Sequence, residues 1–378
     1  MAGQRGQLVY KLVSLFAVVF LLFGCGGPSA TELATVNYTP RTKDVWPVST
    51  PAEQGLDPQL VAELYYNASQ LETVYSLLVF KNGYLIAEDY LNIGTPYRRV
   101  NIHSVTKSIT SALVGIAIEE GCISGVDQKM MGFFPELKRQ ITDPRKNEIA
   151  IQQMLQMRAG YPWEESTDEL MDLLVTGFHN DTLVHVPLVR DPGSDSEYSN
   201  LTPHILGIIV ARACDTDLMS FAQEHLFDPL EIEPGFWQQD WDGNYLGFSD
   251  INLSSTDLAK FGLMIANDGV YDGKQIVPAD WVDESLQVYS KKTWKYRVGS
   301  NWKDNGYGYQ WWSIKAGNYR YNLAWGHGGQ QIAIVKDLDM VIVLLVDPLH
   351  LKWGDEPWRI EKSNLNLVAN FIASLPKE

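Results

Sequence analysis

The chain has 378 residues, of which 45% are hydrophobic and 20% charged, an ordinary balance for a globular protein able to bury a large core. Its formal net charge of −16 at pH 7 argues against nucleic acid as a partner. The seven histidines show no His-Glu-x-x-His or comparable metal-ligand spacing and no Gly-x-Ser-x-Gly occurs, so a metalloenzyme and an α/β-hydrolase are both disfavoured and no cofactor is expected.

Arg5 and Lys11 are the only charges before Leu12 to Phe23, a run in which only Ser14 is polar. That run is too short to span a bilayer comfortably and fits a signal-peptide core. It ends Leu22-Phe23-Gly24-Cys25-Gly26, which resembles a bacterial lipoprotein cleavage site, although Phe23 is bulkier than such sites prefer. Residues 1–25 are thus expected to be removed on export to the periplasm or cell envelope. A lipid on Cys25 would anchor the mature chain to the membrane, with residues 26–45 as a polar linker. The mature chain would lose two positive charges and no negative ones, reaching −18. Plain secretion, with Cys25 incidental, is the alternative. In an oxidising compartment Cys122 and Cys214 could pair, but two lone cysteines at helix ends are more often buried thiols.

Asp57 to Ser69 reads as a helix with Leu60, Val61, Leu64 and Tyr65 on one face. Ser76 to Tyr90 reads as a β-hairpin, because both central residues of a type I′ turn need positive φ and Asn82-Gly83 tolerate it. His103-Ser104-Val105-Thr106-Lys107-Ser108 then opens an apolar helix in which Val105, Ile109, Leu113 and Ile116 recur at helical spacing and Gly121 supplies the stop. Helices follow at Ile149–Arg158, Glu165–Val175, Thr202–Cys214, Leu218–Phe227, Asp257–Asn267 (capped by Ser255) and Pro278–Gln287. The lysine-rich stretch from Ser290 to Asn305 reads as a solvated loop, with a pocket rim as the other reading. Tyr307–Ile314, Arg320–Trp325, Gln331–Lys336 and Met340–Asp347 read as strands, and Ile360–Ser374 as a closing helix. The expected fold is α/β (α+β): residues 46–120 and 290–378 form one antiparallel sheet domain with flanking helices, and residues 121–289 a helical domain.

Three groups of residues carry chemistry. Ser104 and Lys107 share one face of the helix, and burial would push the lysine toward the neutral form that can take the serine's proton. The bland reading is an N-cap serine with a surface lysine one turn on. Ser-x-x-Lys also occurs at Ser300 and Ser374, in a polar loop and at the C-terminus. Tyr198-Ser199-Asn200 follows a turn-rich stretch; its phenol is either a proton carrier or a tyrosine bonding loop backbone. Trp325-Gly326-His327-Gly328-Gly329-Gln330 places three glycines in a strand region, either a strand edge open to substrate or a sharp β-bend with an exposed histidine.

The order Ser104-x-x-Lys107, Tyr198-x-Asn200, His327-Gly328-Gly329 resembles the serine β-lactamase and penicillin-recognising superfamily. More narrowly it is similar to class C β-lactamase-like serine hydrolases, including family VIII carboxylesterases and the 6-aminohexanoate-oligomer hydrolase type. Leu155–Gly160, Ser254–Gly262, Gly273–Pro278 and Tyr307–Trp312 extend the likeness along most of the mature chain. The resemblance implies an active site between the sheet and the helical side. Ser104 would be the nucleophile, and Lys107 and Tyr198 would share the general-base work, with Lys107 holding the phenol's pKa down. Asn200 would bond the substrate or Lys107. The N–H groups of Ser104 and Gln330, the latter just after Gly329, would form the oxyanion hole.

One departure is His327, where the β-lactamases carry lysine. A shorter and mostly neutral side chain is a poorer anchor for a substrate carboxylate. The expected substrate is therefore a small ester, amide or peptide cleaved through an acyl-enzyme on Ser104. A β-lactamase or D-alanyl-D-alanine carboxypeptidase is the alternative, and a non-catalytic envelope lipoprotein a further one. Trp163, Trp311, Trp312 and Trp325 are candidates for the cleft wall, against core packing as the commoner role.

Overall fold

The computed structural model describes residues 27–349 and 355–377. The expected signal peptide and Cys25 lie outside the described residues.

Both ends of the chain build one eight-stranded antiparallel sheet. β1 (Val74–Lys81) and β2 (Tyr84–Tyr90) come early, whereas β3 (Ser290–Lys291), β4 (Lys303–Tyr307), β5 (Trp312–Ala316), β6 (Tyr319–Gly326), β7 (Gln330–Val335) and β8 (Met340–Val346) come late. Their order is β2-β1-β8-β7-β6-β5-β4-β3, so the β1–β8 ladder, with Val79 opposite Ile342, joins the two ends of the chain. Asn82 and Gly83 turn the β1–β2 hairpin with φ of 52° and 75°, as a type I′ turn requires.

Every residue of β1, β7 and β8 is buried, so the centre of the sheet is covered on both faces. Side chains alternate across the pleat. Leu77, Val79, Ile342 and Leu344 pack with α1 (Pro58–Ser69) and the closing helix α5 (Glu356–Ser374). Leu78, Phe80, Val343 and Leu345 face the other way, toward α2 (Val105–Glu119), α3 (Leu201–Ala213) and α4 (Ser255–Ala266).

Several elements differ from the sequence reading. The expected strand Tyr307–Ile314 is broken by Gly308–Trp311, where Gln310 takes a φ of 63°. The Gln310 side-chain amide donates to the carbonyls of Met154 (3.1 Å) and Leu155 (3.0 Å), long-range bonds that override the local preference for strand. Helix Ile149–Arg158 shortens to Ile151–Leu155, α5 begins four residues early, and Ser254 rather than Ser255 caps α4, bonding Asp257 reciprocally. Part of the expected linker is docked: the Thr42 N–H (2.9 Å) and hydroxyl (2.8 Å) both donate to the Glu88 carboxylate on β2.

The two cysteines are not free thiols. Cys122 lies just past the end of α2 and Cys214 at the end of α3; their Cα atoms are 5.1 Å apart and the pair is a disulfide. They stand 92 positions apart in the chain, so proximity could not be read from the sequence. The bond ties together the C-terminal ends of two packed helices whose N-terminal ends both enter the candidate site. Replacing both cysteines with alanine is expected to cost about 2–5 kcal/mol, read as a lower thermal midpoint. An unchanged midpoint would show that the bond contributes nothing to the fold.

Candidate active site

Ser104 immediately precedes α2. Its backbone is at φ −67°, ψ −4°, and its hydroxyl makes no capping bond, so the N-cap reading of this serine does not hold. His103, at φ 48°, makes the sharp turn into the helix, with its N–H donated to the Asn101 side chain at 2.8 Å. Lys107 is in the first turn and is 1% exposed, not a surface lysine. Its Nζ donates to Ser104 Oγ at 2.7 Å, Asn200 Oδ1 at 2.8 Å and the Phe248 carbonyl at 3.1 Å.

These three contacts use all the donors of an ammonium; a neutral amine has one lone pair to turn toward Ser104. Burial drives the Lys107 pKa down to about 7, against the opposing charges of Glu165, Glu164 and Asp250. The N-terminal ends of α2 and α3, both turned to this point, carry partial positive charge that also disfavours an ammonium.

Tyr198 lies in the loop before α3, buried, with its ring stacked on Trp312 at 5.6 Å. Lys107 Nζ stands 5.0 Å from the centre of the Tyr198 ring. Burial pushes the phenol's pKa well above its usual value; hydrogen bonding with Ser104 opposes the rise, while Glu165, Glu164 and Glu361 add to it. The structure thus reverses the expectation that Lys107 holds this phenol down: the amine is the group brought near neutrality, and the phenol keeps its proton.

Two neighbouring glutamates, unassigned from the sequence, position this loop. Glu164 is fully buried and accepts the N–H groups of Asn200 (2.7 Å) and Leu201 (2.9 Å) and the Ser199 hydroxyl (2.9 Å). A carboxylate thereby caps α3 and fixes the backbone that carries Asn200. Glu165 is exposed and accepts from Asn200 Nδ2 at 3.2 Å.

The His327–Gly329 turn joins β6 to β7. Gly328 and Gly329 have φ of 84° and 96°, which explains both glycines. Gly326 meets the Ser104 loop closely: a Cβ there would stand 2.2 Å from the Ile102 carbonyl oxygen. Within the turn, the Gly329 N–H bonds the Gly326 carbonyl (3.0 Å) and the Gly328 N–H bonds Glu361 (3.2 Å). Gln330 has a buried side chain that exchanges two 2.9 Å bonds with the Val346 backbone, fastening β7 to β8.

Glu361, on α5, is the third carboxylate missed in the sequence, where nothing in its helical surroundings marks it. It bonds His327 Nδ1 at 2.8 Å and accepts the Trp325 indole N–H at 2.7 Å. Burial works to lower the His327 pKa, but the Glu361 bond and charge, with Glu165, raise it above its usual value. His327 is therefore more readily protonated than an isolated histidine.

Ser104 and His327 lie where two cavities meet. One, of about 460 Å³, is walled by Trp163, Trp294, Trp312, Trp325 and Trp358, with Tyr296 at its mouth. The other, of about 880 Å³, runs past Asn200, Gln238, Trp241 and Phe248. Three of the four tryptophans considered as cleft wall are there; Trp311 is instead core, stacked on Phe261. Trp294 and Tyr296 come from the Ser290–Asn305 stretch, which borders the aromatic cavity and also supplies the edge strand β3 and the start of β4. Among the described residues no group of three or more His, Cys, Asp or Glu side chains is placed to hold a metal, and no helix is long and apolar enough to cross a membrane.

A family model described as "Beta-lactamase" matches residues 75–360. The chain is 26% identical over 288 residues to the 6-aminohexanoate-dimer hydrolase of Paenarthrobacter ureafaciens, covering 71% of each protein. Among solved structures it is similar to EstCE1, a hydrolase with promiscuous acyltransferase activity (15% identity, TM-score 0.63, 81% of this chain and 99% of that one). It is also similar to a simvastatin synthase mutant from Aspergillus terreus (15% identity, TM-score 0.62, 84% and 98%).

Glu164→Ala is expected to strand the buried N–H groups of Asn200 and Leu201, at roughly 1–3 kcal/mol each. Urea unfolding would read the loss, with Glu164→Gln losing less because its amide oxygen still accepts. Wild-type stability in Glu164→Ala would remove this carboxylate from the framework of the site.

Proposed function

The chain is a serine hydrolase of the Beta-lactamase family, and from that premise we propose that it cleaves an ester or small amide through a covalent acyl-enzyme on Ser104. The observation that carries the reading is the 2.7 Å contact between Ser104 Oγ and a fully buried Lys107 amine. The neutral amine takes the Ser104 proton as Oγ adds to the substrate carbonyl. Tyr198, which keeps its proton, gives it to the leaving group as the bond to the carbonyl carbon breaks, and is reprotonated from Lys107. Water then adds to the acyl carbon, its proton passes to the same base, and Ser104 is restored.

The Ser104 N–H is one donor to the developing oxyanion. The second comes from the His327–Gln330 turn. Glu361 and Gly326 occupy the N–H groups of Gly328 and Gly329, and the Gln330 N–H, at the start of β7, is taken as the second donor.

The side chains around Ser104 support esters and amides over β-lactams. The cavity on Tyr198's side is lined by two carboxylates, Glu165 and Glu361. His327 is paired with Glu361, so it offers little net positive charge to a substrate carboxylate. The name of the P. ureafaciens relative, a hydrolase of a 6-aminohexanoate dimer, is consistent with an amide among the substrates. We also propose export, with lipid attachment at Cys25; the Cys122–Cys214 disulfide supports an oxidising compartment.

Intact-mass labelling with a fluorophosphonate tests the nucleophile. One label is expected on the wild type and none on Ser104→Ala, whose turnover of p-nitrophenyl acetate should fall by at least about 10⁴-fold. A labelled Ser104→Ala would overturn the assignment. Nitrocefin turnover equal to ester turnover would overturn the substrate class.

A further inference from the structure

The two cavities at Ser104 differ in chemistry. Tyr198 lines the aromatic one and not the other. In the reaction proposed above, on which this inference rests, the group that departs must lie beside the proton Tyr198 donates. The leaving group is therefore the part of the substrate that enters the aromatic cavity.

That cavity is more than greasy. The Trp294 ring is the hub of its wall, 4.9 Å from Trp325, 5.5 Å from Tyr296, 5.6 Å from Trp163 and 5.9 Å from Trp358. The exposed carboxylate of Glu165 lines this cavity as well as its neighbour, whereas Glu361 and these tryptophans line this one and not the other. Its described lining includes no lysine or arginine. An apolar leaving group would desolvate Glu165 with only the Asn200 amide to compensate its charge, and an anionic one would be repelled. A cation satisfies both features at once: indole faces attract it through their quadrupole, and the carboxylate neutralises it. Trp294 reaches the acid–base groups through a ring contact with Tyr198 at 6.4 Å, and Glu165 through its bond to Asn200 and its charge near Lys107 and Tyr198; among the described residues neither bonds Ser104 or Tyr198.

We propose that the aromatic cavity is a subsite for a cationic leaving group, an alcohol or amine bearing an alkylammonium head, with Glu165 and Trp294 as its specificity-determining residues. In such a substrate, Ser104 Oγ bonds to the acyl carbon, the ester or amide bond breaks, and the ammonium-bearing alcohol or amine leaves with the proton from Tyr198.

The test compares acetylcholine with its neutral carbon isostere, 3,3-dimethylbutyl acetate, by pH-stat on the full chain. The two differ in charge and hardly in shape. The kcat/KM for the cation is expected to exceed that for the isostere by about tenfold or more. The ratio should fall toward one in Glu165→Gln and in Trp294→Leu. Taking the ratio cancels any effect of Glu165 on Lys107, because both esters use the same base. A second pair, p-nitrophenyl 4-(trimethylammonio)butyrate against p-nitrophenyl 5,5-dimethylhexanoate, moves the charge to the acyl side, where Glu165 reaches but Trp294 does not, and should show a smaller preference that Trp294→Leu leaves unchanged. Equal or inverted rates for the first pair would overturn the subsite, and so would a preference confined to the second. If fluorophosphonate still labels Ser104 in that case, the subsite alone has failed; if it does not, the hydrolase reading has failed and the subsite with it.

Discussion

The site depends on a lysine held where an ammonium is poorly tolerated. Lys107 sits inside the first turn of a buried helix, between Ser104, Asn200 and the Phe248 carbonyl. Burial disfavours its charge more than the surrounding carboxylates restore it. The consequence for folding has a definite sign. The unfolded chain binds this proton up to a pH near 10.5, whereas the folded one releases it near 7. Stability from this group therefore rises with pH across that window, and near neutrality the fold carries a cost for keeping the amine reactive.

Everything around Lys107 serves to hold it there. The apolar run of α2 packs Val105, Ile109 and Leu113 against the sheet. Glu164 clamps the start of α3, and so presents Asn200 to the amine. The disulfide joins the far ends of the same two helices. From the other side, Gly326 lets the end of β6 come against the residue two before Ser104. The sheet, made from both ends of the chain, thus fixes the strand edge, and the helical side fixes the base.

Much of this was legible in the sequence, for local reasons. Asn82-Gly83 specified a turn through its dihedral angles, the Val105–Ile116 periodicity specified a buried helix, and three short motifs gave the order of a known family. What was not legible came from contacts between distant residues. Cys122 and Cys214 are brought together only by the packing of α2 on α3. The Tyr307–Trp312 stretch has strand-forming residues but is bent by Gln310 reaching the end of a helix more than 150 residues away. Glu361 looks like any polar residue of an amphipathic helix, yet it links His327, Trp325 and Gly328. The Lys107–Tyr198 relationship was inferred in the wrong direction because motif order says nothing about burial. A phenol 8% exposed and close to three carboxylates is pushed up, whatever cation stands over its ring.

Titration of the Lys107 side chain by NMR, in protein carrying ¹³C at lysine Cε and with the signal assigned by its loss in Lys107→Arg, tests this account most directly. A midpoint near pH 7 is the result it predicts. A midpoint near that of free lysine, at about 10.4, would leave Ser104 without its base and contradict it.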